Sequence, residues 1–230
     1  MDNDFSVYLA PGPCIDSDHP AIIELARRLV SDAVDQRQNA IALYYWVRDE
    51  IRYNPYGLGL TLEDQKASRT LAAGQGWCVP KAILLSALCR ASGIPARLGF
   101  ADVRNHLSTQ RLRDTMDTDI FYFHGYSSLF LEGKWVKATP AFNLSLCEKF
   151  NLKPLEFDGL EDSIYHPFDE LGNRHMEYVN ERGEYPELPF DEMMAVFRDK
   201  YPYMFEHTEE NGELASDQWD RDVEQETASS

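Results

Sequence analysis

The sequence predicts an α+β fold in which N-terminal helices, one of them central and almost wholly apolar, pack on an antiparallel β-sheet. Three observations lead there. Apolar residues recur at helical spacing from Ile22 to Ala91, the pattern changes to strand-like runs after Gly93, and Glu132-Gly133 forms a two-residue turn between two of those runs.

The first helix follows Asp18-His19-Pro20, where Asp caps and Pro suits an early helical position, and Ile22, Ile23, Leu25, Ala26, Leu29, Val30 and Ala33 give it one apolar face. Ile41, Leu43, Tyr44, Tyr45, Trp46, Val47 and Ile51 make a second helix, closed by Asn54-Pro55 and the glycines Gly57 and Gly59. Its Tyr and Trp side chains read as core. Gly74-Gln75-Gly76-Trp77 is a loop entering a third helix, and Pro80 is tolerated because first-turn amides lack an intrahelical acceptor. This helix runs through Ala82, Ile83, Leu84, Leu85, Ala87, Leu88 and Ala91 to a stop at Gly93. Strands are expected from Ile94 to Val103, Ile120 to Leu131 and Lys134 to Pro140, with Leu131 paired to Lys134 across the turn. Arg104 to Asp119 is a long connection of the kind that forms a lid or an ordinary surface excursion. Phe142 to Asp191 reads as an irregular wrap, and Phe190 to Tyr203 as a last helix.

With 230 residues, 43% of them hydrophobic, the chain can bury one substantial core, so residues 1–205 are expected to form a single domain. Residues 206–230 hold nine acidic residues against Arg221, a composition expected to stay disordered. The net charge of −17 opposes capture of nucleic acid or an anionic bilayer. Neither a secretory leader nor a run long enough to span a membrane is seen, which places the expectation in the cytoplasm. Cys14, Cys78, Cys89 and Cys147 are widely spaced and form neither a disulfide framework nor a zinc pattern, so reduced thiols are expected, with no metal and no organic cofactor. The oligomeric state is not encoded in any of these features.

Cys78 stands at a helix start, where the dipole favours a thiolate, and its own amide can point at a developing oxyanion. Gln75, three residues upstream, offers a second donor, and Trp77 beside the cysteine joins it as an oxyanion or substrate contact. Cys89, Cys147 and Cys14 read as small buried hydrophobes. Among six histidines, His124 is the base candidate, because it lies in the apolar strand Phe121-Tyr122-Phe123-His124-Gly125-Tyr126 and there needs a polar partner or a task. The hairpin register sets Tyr126 against Thr139 and His124 against Ala141, which makes Thr139, or Asn143 as a substitute, the orienter of the imidazole.

The block Gly74-Gln75-Gly76-Trp77-Cys78-Val79-Pro80-Lys81-Ala82, continued by Leu84 to Arg97 with its Gly93-Ile94-Pro95-Ala96-Arg97 ending, resembles the nucleophile helix of the transglutaminase-like superfamily. His124 with Gly133-Lys134-Trp135-Val136 is similar to that family's second motif, and Trp46-Val47-Arg48, Ile51-Arg52-Tyr53 and Ala67-Ser68-Arg69-Thr70-Leu71 to its lead-in. The likeness spans roughly Asp18 to Asn143 and suggests a small transglutaminase-like domain protein of bacterial type. It implies a papain-like core and a Cys-His-Asp triad that forms a thioester from an amide. Where the family's aspartate would stand, this chain has Ala138-Thr139-Pro140.

The expected activity is that of a thiol amidase, protease or acyltransferase, with Cys78 attacking a peptide, protein or small amide substrate and His124 moving the proton. The alternative is a noncatalytic peptide-binding module on the same fold, favoured by Thr139 in place of the aspartate. His166, Asp169, His175 and Glu177 match no established metal motif and read as surface. Arg104, His106, Arg111 and Arg113 are nearly balanced by Asp102, Asp114, Asp117 and Asp119 and read as a solvated loop.

Overall fold

A computed structural model describes residues 4–57, 59–105, 109–165, 176–202 and 218–227. After a short turn, α1 (Ser6–Leu9), come α2 (Pro20–Leu29) and α3 (Gln36–Glu50). The cap of α2 is His19, whose Nδ1 accepts from the Ala21 amide, rather than Asp18. A pair of two-residue strands, β1 (Arg52–Tyr53) and β2 (Gln75–Gly76), run parallel and bracket α4 (Ala67–Ala73). Next is α5 (Cys78–Ala91), buried on every side from Cys78 to Arg90. An element apolar all round can only be a core element, and α2, α3, α4 and the sheet all pack on it. Gly93, at φ 74°, turns the chain out of α5, with the Ile94 amide closing back on the Cys89 carbonyl at 2.9 Å.

The sheet has the order β5-β4-β3-β6 and is antiparallel throughout, with β3 at Ala96–Asn105, β4 at Ile120–Leu131, β5 at Lys134–Ala138 and β6 at Met176–Tyr185. Leu131 pairs with Lys134 as the turn chemistry requires, and Glu132 (φ 48°) and Gly133 (φ 87°) take the two left-handed positions of a primed hairpin turn. The β4–β5 ladder ends at Ser127↔Ala138, just before Pro140 would have to donate an amide it lacks. On its other edge β5 is met at Ala138 by Ser163, whose amide donates to the Lys137 carbonyl at 2.8 Å. The remaining α-helices among the described residues are α6 (Gln110–Met116), α7 (Leu144–Lys149), α8 (Phe190–Lys200) and α9 (Gln218–Thr227).

Two expectations change. The irregular wrap contains β6, an edge strand whose half-buried and exposed side chains carry no alternation to betray it. The acidic tail, expected to be disordered, contains α9, which is docked. Trp219 is buried between Tyr53 and Tyr56, with ring centroids at 5.8 and 5.5 Å, and Val223 one turn on is buried beside it. The acids flanking that stripe meet donors on the body: Asp220 meets Arg52, Asp222 meets the Tyr56 hydroxyl at 2.7 Å and Arg111 at 3.3 Å, Glu224 meets Lys149 at 3.3 Å, and Glu226 accepts the Gln110 amide at 2.7 Å. Average composition hides this i, i+4 apolar pair with partnered acids.

Candidate active site

Cys78 is the first residue of α5, and Trp77 before it is extended (φ −85°, ψ −173°) and gives no side-chain cap. The opening amides of the helix are therefore left facing the thiol: the Cys78 and Val79 N–H groups both stabilise its thiolate, as does the Gly125 N–H from β4. Gly125 is what lets the helix end approach, since a Cβ there would lie 2.9 Å from Val79 Cγ2 and 3.1 Å from Val79 Cα. The residue before it is His124. Because β5 stops at Ala138, the edge of β4 at Gly125 is open to α5, and the ladder's end and the helix's start meet at the Cys-His neighbourhood.

The helix start favours a thiolate, and burial works against it. Burial pushes the Cys78 thiol up to about 11, outweighing the three amides that pull it down. Burial likewise pushes His124 down to about 4. Only 8% of Cys78 and 5% of His124 are exposed, so the pair rests as neutral thiol and neutral imidazole. Burial, and in addition the charge a Cys78 thiolate would carry, holds the Tyr53, Tyr178 and Tyr201 phenols neutral.

His124 packs against the Tyr165 ring at 5.6 Å, and its Nε2 is buried without a hydrogen-bond partner. Thr139 lies just past the end of β5, and its Oγ1 is also buried and unpartnered, so it makes no hydrogen bond to the imidazole here. Its carbonyl accepts from the Tyr44 hydroxyl at 3.1 Å. Asn143 is not an orienter of His124. Its Oδ1 accepts the Tyr53 amide at 3.1 Å and its Nδ2 donates to Ser145 Oγ at 2.7 Å, which employs it in fixing the turn after β1.

Gln75 is held by its oxygen, which accepts from Arg52 Nη2 at 2.6 Å and from Asn54 Nδ2 at 3.3 Å, leaving the amide nitrogen as the available donor. It lines an open groove of about 430 Å³ with Gly76, Pro80, Asn54, Thr70 and Arg69. Trp77 is buried against Phe197 of α8 at 5.9 Å, with its indole N–H buried and unpartnered. Cys14, Cys89 and Cys147 are buried free thiols, each raised by burial.

Lys81, one turn beyond Cys78, has a part in the site's support that the sequence pattern alone does not assign. It is fully buried and donates to the Arg48 and Ile51 carbonyls at 2.9 and 2.5 Å, closing the C-terminal end of α3. Burial lowers it to about 7. A lysine inside an otherwise apolar helical run is the signal that could have marked it.

No group of metal-ligating side chains forms among the described residues. His106, His166, Asp169 and His175 lie outside them, and Glu177 pairs with Arg104. Of the expected solvated charges, Asp119 does pair with Arg104 at 2.9 Å, whereas Asp102 is buried in the sheet.

The profile of the transglutaminase-like superfamily matches residues 23–140, from α2 to the end of the β5 connection. The chain belongs to the transglutaminase-like superfamily. That match takes in both Cys78 and His124, and the helices packed on an antiparallel sheet agree with the α+β, papain-related fold of that superfamily. Among solved structures, a protein from Cytophaga hutchinsonii proposed to be a cysteine protease is 22% identical, with a TM-score of 0.47 over 61% of this chain and 43% of its own. Another, from Parabacteroides distasonis and proposed to be a protease, is 12% identical, with a TM-score of 0.39 over 60% of this chain and 27% of its own. The chain thus spans less than half the length of each. No curated protein matches it. None of the described helices is long and apolar enough to cross a membrane.

Proposed function

We propose that this superfamily member is a thiol enzyme that cleaves or exchanges amide bonds of a peptide or protein through a thioester on Cys78. The observation that carries the reading is the seating of Cys78 at the uncapped start of α5, against the amide next to His124, where the β4–β5 ladder ends. In this reading His124 is neutral at rest, held so by burial, and accepts the thiol proton as the substrate carbonyl is attacked. As Cys78 Sγ bonds to the substrate carbonyl carbon, His124 takes the thiol proton. It then delivers that proton to the departing amine, leaving the thioester. Water resolves the thioester to an acid, or a second amine resolves it to a new amide. The amide nitrogen of Gln75, the Trp77 indole N–H and the Cys78 amide are the oxyanion donors in this reading. Four unpaired thiols fit a reducing cytoplasmic setting.

The second reading, a peptide-binding module, is favoured by the burial of both groups and by the lack of a carboxylate bonded to His124 among the described residues. Site-resolved alkylation with iodoacetamide across pH separates the two. The enzyme reading expects Cys78 to react ahead of Cys14, Cys89 and Cys147, and to react at least tenfold more slowly near neutral pH in His124→Ala. A Cys78 no more reactive than the other three, or indifferent to His124, leaves the binding module in its place.

A further inference from the structure

His124 owes its side of the sheet to an irregularity. Val103 pairs with Phe121 and Ala101 with His124, so that over this stretch β3 advances two residues while β4 advances three. Paired residues share a face, and side chains alternate along a strand. Without the extra residue, Ala101 would pair with Phe123 and His124 would point to the other face. The bulge therefore decides which side of the sheet carries the imidazole.

The bulge is held in an unfavourable conformation. Phe123 has φ 57°, a left-handed value that a bulky residue rarely adopts, and it is fully buried. The amides released from the ladder are bound by side chains instead. Phe123 N–H donates to Asp102 Oδ1 at 3.2 Å, and Tyr122 N–H donates to the Tyr201 hydroxyl at 2.6 Å. The Tyr201 hydroxyl donates in turn to the Ile120 carbonyl at 3.1 Å. Asp102 stands opposite the bulge and is itself fixed from β6, by Arg182 Nε at 2.5 Å and Asn180 Nδ2 at 3.2 Å. The Arg182 guanidinium also lies 4.4 Å over the Phe123 ring. A buried carboxylate with three donors and a phenol inserted into a strand edge form a satisfied network that fixes the backbone at the bulge.

We infer that Asp102 and Tyr201 are positioning residues for His124, acting through the Tyr122–Phe123 bulge rather than by contact with the imidazole. The inference rests on the proposed role of His124 and extends it to a device that no triad comparison would reveal, because neither residue touches the ring. It assigns to a carboxylate on β3 the orienting task that Thr139 does not perform by hydrogen bonding.

The test follows the His124 ring by NMR in isotopically labelled full-length protein, assigned with His124→Gln, in Asp102→Ala, Asp102→Asn and Tyr201→Phe. In Asp102→Ala and Tyr201→Phe the ring is expected to titrate above its native midpoint, toward the free value of about 6.5. The Phe123 and Tyr122 amides should exchange faster in the respective variants. Asp102→Asn keeps an oxygen for the Phe123 amide and should restore the native titration. Ile22→Ala, a core change on α2, controls for lost stability and should leave His124 unmoved. Tyr201→Phe keeps the aromatic packing, so it decides the matter even where Asp102→Ala does not fold. A native His124 titration in folded Tyr201→Phe overturns the inference, as does one in folded Asp102→Ala. Failure of the enzyme reading is seen separately, as Cys78 alkylation indifferent to His124→Ala.

Discussion

Protonating His124 inside the fold should cost stability, and the cost can be worked from its burial. The folded group titrates near 4 because burial disfavours the imidazolium, while in the unfolded chain it titrates near 6.5. A base whose pKa is lowered by folding binds more protons unfolded, so stability is present above about pH 6.5 and falls as pH drops toward 4. The two midpoints give a loss of about 2 kcal/mol at pH 5 and about 3 kcal/mol at pH 4, with almost none at pH 7. The assay is urea denaturation of the wild type and His124→Gln at pH 7 and pH 5, compared as a difference of differences. Carboxylates common to both proteins cancel, and the wild type should lose about 2 kcal/mol more than the variant on acidification. An equal loss in the two would refute the picture of a buried neutral imidazole, and with it the resting protonation state from which catalysis is argued.

Three further outcomes follow from the geometry. Gly125→Ala forces a methyl group against Val79 backbone and side chain and should destabilise by ~1–3 kcal/mol in denaturant melts, while shifting Cys78 alkylation because the helix end must move. Trp219→Ala removes the aromatic anchor of α9, a change on the order of 3 kcal/mol for a buried indole, and a ten-residue helix does not persist undocked, so amide exchange over 218–227 should rise steeply. Raising salt toward 1 M should weaken the partly exposed Asp220–Arg52 and Glu224–Lys149 pairs and speed the same exchange in the wild type, and salt-independent exchange would show that these ion pairs do not hold the helix.

The apolar helix from Cys78 to Ala91 was legible because nothing but burial explains such a run, and the hairpin because Glu132-Gly133 suits only a primed turn. Its register carried the sheet pairing as far as Ala138, but the expected Tyr126–Thr139 and His124–Ala141 pairs lie past the end of the ladder, where Pro140 has no amide to donate. Cys78 and His124 could be chosen from residue chemistry, since helix starts and lone histidines in apolar strands are local features. What surrounds them was not legible. The tyrosines coupled to the thiol come from β1, β6 and the end of α8, distant parts of the chain. Asn143 had the right residue type, yet its side chain is spent on the Tyr53 amide, a long-range contact that no local pattern encodes. The bulge at Phe123 is similarly hidden, because a phenylalanine in a strand gives no hint of a left-handed backbone. Asp102 read as one charge in a solvated loop for the same reason.

The docking of α9 changes how the protein should be handled in the laboratory. Residues 206–230 carry nine acids and one arginine, so they hold −8 of the chain's −17, and a boundary drawn by composition would cut there. Such a cut would remove about half the charge that keeps molecules apart. It would also uncover the aromatic and aliphatic floor of Tyr53, Leu112, Phe142 and Leu146 on which Trp219 rests. A shortened preparation should therefore self-associate where the full chain stays dispersed, and a loss of activity seen in it would report on the missing lid of that floor before it reported on Cys78.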